Sequence, residues 1–258
     1  MRCRLRKTVV TLSCVCGLTI PSVSAAQSPE PAGAPALQAP RADSFWAPFI
    51  RVPGDFKRFA SDETLTILTS AGVIALAAHG LDDDGIELAM TRLQPANSFT
   101  AGNIGGGFLA QTGGAFAVYT LGRVVKSQRV SAVGSDLVRA QILTQGTVQL
   151  TKRLARRARP DDSDRFSLPS GHAAGTFATA TVLHRHFGWK IGVPAYAAGA
   201  YVATARMSAN KHHLSDVILG AAFGIAAGRT VSVGTTKHRF DVGVSPTVGG
   251  GAITFIKK

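Results

Sequence analysis

Two adjacent histidines precede an aspartate between Arg206 and Asp216, and their spacing suits a catalytic base or nucleophile. His212 lies four residues before Asp216. At a helix start, the carboxylate can therefore accept the imidazole N–H and leave the other ring nitrogen free to attack. A base held by a third group in this way is a recurrent catalytic arrangement. His213, three residues before Asp216, competes for the same carboxylate, and the spacing from Arg206 favours His212.

The stretch from Ser167 to His172 combines a predicted anion site with a proton donor. Pro169 precedes a helix of small residues, and the free N–H groups of a first helical turn attract anions. Ser170 adds a hydroxyl donor, and Gly171 lets an anion approach the backbone closely. His172 can donate a proton near neutral pH. Taken alone, the stretch fits an ordinary helix cap with a surface histidine equally well.

A cationic stretch comes first along the chain. Lys152, Arg156 and Arg159 are spaced three or four residues apart, which predicts that they project from one face at the end of a helix. Taken alone, such a pattern more often marks a solvated basic helix end.

Helices are predicted to position all three stretches. Ser61 is a plausible N-cap with Glu63 soon after it, and Ala- and Gly-rich apolar segments with little strand character follow. The predicted helical segments lie near 62–80, 101–125, 134–158, 170–187, 190–207 and 212–230. We therefore expect an all-α fold, a compact bundle of about six core helices over residues 61–231.

Both ends of the chain differ from this bundle in composition. Basic, apolar and small residues follow one another over residues 1–26 and predict a cleaved signal peptide, with a signal anchor as the alternative. A Pro- and Ala-rich lead-in is assigned to 27–60. Alternation of apolar residues predicts a short C-terminal β-hairpin within a tail at 232–258. The signal predicts export to the periplasm or cell envelope.

Charge and cysteine content restrict the chemistry. Cleavage of the signal peptide would remove four of the 28 basic residues and none of the 15 acidic ones, so the formal net charge changes from +13 to +9. An anionic partner is expected. Cys3, Cys14 and Cys16 all lie in the signal, which excludes cysteine chemistry in the mature protein. The run Asp82 to Gly85 lacks the alternate spacing of a calcium loop and is predicted to be a solvated helix end.

The sequence is compatible with helices outside a membrane and with helices inside one. The apolar stretches Ile191 to Ala205 and Val217 to Gly228 are shorter than the roughly 20 residues that span a bilayer. The third predicted helix carries Arg139 and three glutamines. These features favour a soluble or peripherally attached domain, with short tilted helices inside a membrane as the alternative.

Together, the three stretches resemble the signature of the type 2 phosphatidic acid phosphatase and vanadium haloperoxidase superfamily, K-x6-R-P, then P-S-G-H, then S-R-x5-H-x3-D. Every position agrees except Ala205, which stands where a serine usually precedes the arginine. The resemblance covers about Ala110 to Thr230. It implies a metal-independent phosphatase that uses no cofactor and forms a phosphohistidine intermediate.

The resemblance also implies roles for individual residues. Phosphate oxygens would be held by five of them: Lys152, Arg159, Ser170, Gly171 and Arg206. His212 would attack phosphorus, Asp216 would orient it, and His172 would protonate the leaving oxygen. Because Ala205 lacks a hydroxyl, weaker support of Arg206 is expected.

The expected substrate is a phosphorylated small molecule or a lipid phosphate, with possible membrane association and no nucleic acid. Phosphatidate, isoprenyl diphosphate, a lipid A phosphate and a soluble monoester all present the same terminal group. Two other functions are considered. One is a vanadium-dependent haloperoxidase, because vanadate copies phosphate geometry. The other is a non-catalytic binder of anionic lipid or nucleic acid, against which the trio His172, His212 and Asp216 argues.

Overall fold

The computed structural model describes residues 44–91, 100–232, 240–247 and 250–257. The predicted signal peptide and the lead-in as far as residue 43 lie outside this part of the chain. Nine helices occur within it: α1 (Ala47–Phe59), α2 (Asp62–His79), α3 (Asp82–Thr91), α4 (Thr100–Gly105), α5 (Phe108–Val124), α6 (Gln128–Ala155), α7 (Gly171–Phe187), α8 (Trp189–Ser208) and α9 (Leu214–Val231).

The fold is mostly helical, as predicted. Ser61 is confirmed as the N-cap of α2, because its hydroxyl accepts the Thr64 N–H at 3.3 Å. The predicted segment 101–125 divides into α4 and α5. The division falls at Gly106, where an added Cβ would lie 2.3 Å from Cγ1 of Val202, so only glycine allows this approach to α8.

α1 and α3 were not among the predicted helices. α1 lies within the range assigned to the lead-in, and it begins with a proline in its first turn and ends with Lys57 and Arg58. Both features suit the ends of a helix, but the internal Pro53 conceals the helix from a sequence pattern.

α6 is the central element, and α1, α5, α7 and α9 all pack against it. Apolar side chains from these helices form the main core, including Tyr119, Leu137, Leu143 and Val182. Polar contacts also lie among them: Arg139 donates from Nε to Oδ2 of the fully buried Asp55 at 2.7 Å. Arg139 therefore faces a partner on α1 and does not mark a solvent-facing side of α6.

Two strands near the C-terminus, β1 (Phe240–Thr247) and β2 (Gly250–Lys257), pair antiparallel, with Phe240 opposite Lys257. Residues 248–249 between them lie outside the described part of the chain, and the terminal hairpin stays a prediction.

Among the described residues, α9 is long and apolar enough to cross a membrane, with a mean hydropathy of 1.4. Its candidate stretch is 61% buried within the protein. α1 and α2 meet the same criterion as a pair bent by 64°. Core helices of soluble proteins also meet it, so length and composition alone assign no membrane span.

Candidate active site

Lys152 lies on the last turn of α6, and its side chain points into the protein. The ammonium group donates to the main-chain carbonyl oxygen of Phe166. It also donates to the carbonyl oxygen of Ser167, at 3.4 Å. Burial, followed by repulsion from Arg159, lowers the pKa of Lys152 to about 8. The ammonium form still predominates at pH 7, so the side chain remains a cation.

The predicted helical stripe of Lys152, Arg156 and Arg159 is wrong. α6 ends at Ala155, and Arg156 adopts a left-handed conformation with φ 44° and points to solvent. Arg159 therefore reaches the site from a loop. Its Nε donates to Oδ1 of Asp164 at 2.7 Å.

The start of α7 is confirmed. Ser170 is its N-cap, accepting the Ala173 N–H at 3.5 Å, and α7 begins at Gly171. The Ser170 N–H donates to the main-chain oxygen of Asp216 at 2.9 Å, which joins the second motif to the third. The first turn of α7 thus presents its free N–H groups beside the residues of α9.

His172 contacts α4. Its ring forms a hydrogen bond with the main chain of Asn103, and this contact favours the protonated imidazole, which can donate to a carbonyl oxygen. Burial, followed by repulsion from Arg206 and His212, outweighs that contact and lowers the pKa of His172 to about 4. His172 is therefore neutral at pH 7 before a substrate binds.

His212 is almost completely buried, and its Nδ1 lies 3.8 Å from Oδ2 of Asp216. This separation is longer than a hydrogen bond, and within the described part of the chain Nδ1 has no other partner. Burial is the main cause that lowers the pKa of His212 to about 4, although Asp216 raises it. The carboxylate itself accepts the Ser167 hydroxyl and the His213 N–H, the latter at 2.9 Å. His213 thus contacts Asp216 through its backbone, and its ring lines a different cavity.

Six of the eight predicted site residues line one cavity of about 200 Å³. They are Lys152, Arg159, Gly171, His172, Arg206 and His212. Asp216 lies behind His212, and Ser170 is buried at the start of α7. A neighbouring cavity of about 620 Å³ shares Arg159 and is lined by acidic and apolar residues that include Asp83, Ile86 and Asp162.

Sequence reasoning did not assign four residues at this site. Gln145 and Gln149 line the cavity together with Phe108. The two glutamines precede Lys152 at helical spacing, so the helix period from Lys152 could have identified them. Asn103 accepts from a guanidinium nitrogen of Arg206 at 2.8 Å through its side-chain oxygen. No spacing rule connects Asn103 to Arg206, because more than 100 residues separate them.

The prediction that Asp82 belongs to a solvated helix end is wrong. Asp82 is buried, and it accepts from the N–H and the hydroxyl of Ser215 at 2.8 and 2.9 Å. In the described part of the chain, no group of three His, Cys, Asp or Glu side chains converges as metal ligands would.

Residues 135–239 match the model of the PAP2 superfamily. The matched range contains all eight predicted site residues. Over 86 residues the chain is 38% identical to the lipid A 1-phosphatase of Porphyromonas gingivalis. This alignment covers 32% of this chain and 19% of that protein. Over 61 residues the chain is 36% identical to the lipid A 4'-phosphatase of Helicobacter pylori. This alignment covers 23% of this chain and 31% of that protein. The chain thus spans less than a third of either relative.

Two solved structures are similar to the fold. The crystal structure of Aquifex aeolicus LpxE is 22% identical with a TM-score of 0.48, over 58% of this chain and 94% of that one. The crystal structure of a transmembrane PAP2-type phosphatidylglycerolphosphate phosphatase from Bacillus subtilis is 18% identical with a TM-score of 0.47, over 66% of this chain and 94% of that one.

Proposed function

We propose that the protein is a phosphatase of the cell envelope that hydrolyses the phosphate monoester or diphosphate group of a lipid through a phosphohistidine intermediate. The observation that carries this proposal is the single cavity in which three cations and two neutral histidines meet. The named activities of the two relatives on lipid A phosphates support the same class of substrate.

The cavity is suited to a phosphoryl group because its charge is concentrated and partly buried. Lys152, Arg159 and Arg206 enter it from three different elements, and the first turn of α7 adds free N–H groups at Gly171. Each hydrogen bond from a charged donor contributes about 1.5–3 kcal/mol. These cations would stabilise the charge on the three equatorial oxygens of the transition state.

His212 is the proposed nucleophile. Its low pKa keeps the imidazole neutral, so a lone pair is available for attack. With Nδ1 facing Asp216, the other ring nitrogen, Nε2, would form the bond to phosphorus. As the ring becomes positively charged, Nδ1 would approach Asp216 from its present 3.8 Å and donate to it.

His172 is the proposed general acid. It would give its proton to the leaving oxygen as the P–O bond breaks, and the neutral ring would then take a proton from the water that hydrolyses the phosphohistidine. The bound phosphate supplies the negative charge that restores its protonated form.

A lipid body for the substrate is favoured by the apolar surface at the cavity mouth. Phe108 lines the cavity and is 54% exposed, and the adjacent Leu109 is 83% exposed. Ile104, on the other side of Gly106, is 68% exposed. Exposed apolar side chains continue along α2 and α5. A surface of this kind suits a membrane or lipid contact, and the phosphate would then enter the cavity while the acyl chains remain in a bilayer.

Phosphate release from a panel of esters tests the proposal. Lipid A phosphate, phosphatidate and isoprenyl diphosphate in vesicles should be hydrolysed with a higher kcat/KM than a short-chain soluble monoester. Leu109→Ser should lower kcat/KM on the lipids and leave the soluble ester unaffected. His212→Ala should abolish both turnover and acid-labile phosphoenzyme. Retention of phosphoenzyme by this variant would refute the mechanism, and a preference for soluble esters would refute the lipid assignment.

A further inference from the structure

Arg157 contacts the carboxylate that faces the proposed nucleophile, and it joins two buried carboxylates. One terminal guanidinium nitrogen donates to Oδ1 of Asp216 at 2.7 Å, and the other donates to Oδ2 of Asp82 at 2.7 Å. The side chain is 21% exposed, whereas Asp82 and Asp216 are 6% and 0% exposed. The two-pronged geometry is one that only arginine provides.

Asp82 in turn ties this arginine to the start of α9. Both of its oxygens accept from Ser215, the residue before Asp216. Burial acts to raise the pKa of Asp82, but the hydrogen bonds from the Ser215 backbone and from Arg157 outweigh it and lower that pKa. Asp82 is therefore charged, and α3, the loop after α6 and α9 are joined by one network.

We propose that Arg157 and Asp82 are positioning residues for the phosphoryl transfer described above: they hold Oδ1 of Asp216 so that Oδ2 stays turned toward His212. The inference rests on the proposed function, since it assigns His212 as the nucleophile. Oδ2 of Asp216 already accepts from Ser167 and from the His213 backbone. With Oδ1 held by Arg157, the carboxylate is fixed at both oxygens and cannot rotate away from His212.

The network also adjusts the basicity of His212. Four charged or titratable groups face this ring: Lys152 from α6, Arg159 from the loop, His172 from α7 and Asp216 from α9. Arg157 offsets part of the negative charge on Asp216, which weakens the pull of Asp216 on the imidazolium proton. Asp82 offsets part of the charge on Arg157. Removal of one or the other should therefore change the pKa of His212 in opposite directions.

The test compares Arg157→Gln, Arg157→Lys and Asp82→Asn with Arg153→Gln, a control on an exposed arginine of the same basic run. The pKa of His212 is measured by NMR of ¹⁵N-histidine-labelled protein, with the signal assigned by its loss in His212→Ala. Steady-state kcat and KM are measured on the same samples.

We expect kcat to fall by about 10²-fold in Arg157→Gln with little change in KM, because misplacement of the nucleophile affects the chemical step. The pKa of His212 should rise by about one unit in this variant and fall in Asp82→Asn. Arg157→Lys should keep that pKa near the wild-type value but not restore kcat, because a lysine provides the charge without the fork. Arg153→Gln should match the wild type in every measurement.

An unchanged kcat in Arg157→Gln, or a shift of the His212 pKa in the same direction in Arg157→Gln and Asp82→Asn, would overturn the inference. If a single variant does not fold, the double variant Arg157→Gln/Asp82→Asn replaces the ion pair by neutral amides. It should show a near-wild-type pKa with a reduced kcat, and wild-type kcat there would also refute the inference. Turnover by His212→Ala would instead refute the proposed function, so the two failures are distinguishable.

Discussion

Replacement of His172 by alanine should slow the hydrolysis of alkyl phosphates far more than that of activated aryl phosphates. An alkoxide leaving group needs a proton as the P–O bond breaks, whereas a nitrophenolate does not. A general acid typically contributes about 10²–10⁴-fold. We therefore expect a loss of that size in kcat on alkyl and lipid esters, and a loss below about tenfold on an aryl ester.

The electrostatics of the site determine whether His172 can serve as an acid at neutral pH. With a pKa of about 4 before substrate binds, the neutral form of His172 exceeds the imidazolium by about 10³ at pH 7. Half-protonation at pH 7 requires a stabilisation of about 4 kcal/mol. A phosphate dianion about 4 Å away supplies about 8 kcal/mol at an effective dielectric constant near 20. Substrate binding is thus sufficient to protonate His172, and the bound phosphate also offsets the repulsion by Arg206.

The assay is the pH dependence of kcat for paired alkyl and aryl substrates in the wild type and in His172→Ala. The wild type should give a bell-shaped profile, with kcat rising as His212 loses its proton and falling as His172 loses its own. In the variant the descending limb should disappear, because the group that must be protonated is gone. Equal losses on both substrates, or a descending limb that persists in the variant, would refute the role of His172.

Further predictions follow from the same site. Asn103→Ala should raise KM by about tenfold, because Arg206 loses a hydrogen-bond partner that holds its guanidinium, and steady-state kinetics would measure this. Activity should survive dialysis against a strong chelator and be inhibited by vanadate; loss of turnover that a divalent ion restores would show that the site has been misassigned. Exported protein should begin near residue 26 or 27 on N-terminal sequencing, and an intact Met1 in the envelope form would contradict the cleaved signal.

Much of the helical fold could be predicted because its helices are long and their ends are marked by local residues. Ser61 and Ser170 act as N-caps, and the sequence alone places a helix start after each of them. α1 was not predicted because Pro53 usually interrupts a helix, and here the partner that stabilises the element is Arg139, far along the chain. Tertiary contacts of this kind leave no local pattern in the sequence.

The residues of the candidate site also differ in how well the sequence predicts them. Residues within a motif, such as His212 and Asp216, lie four positions apart where a helix starts and could be predicted together. Asn103 and Asp82 act across the fold, and their neighbours in the chain give no indication of it. Asp82 also shows how a run of acidic residues can conceal one that is structural: Asp83 and Asp84 are exposed, whereas Asp82 is buried against Ser215.

The glycines of α9 connect the packing of the bundle to the geometry of the site. An added Cβ on Gly220 would lie 2.5 Å from the Ser170 carbonyl oxygen, and one on Gly224 would lie 2.2 Å from that of Ala174. Both atoms are main-chain atoms, one of the N-cap of α7 and one of its first turn, and a main chain cannot move aside as a side chain can. The absence of a side chain at these positions lets α9 approach α7 closely enough for the Ser170 N–H to donate to the main-chain oxygen of Asp216. The anion-binding turn and the histidine–aspartate pair therefore meet because two helices pack at backbone contact.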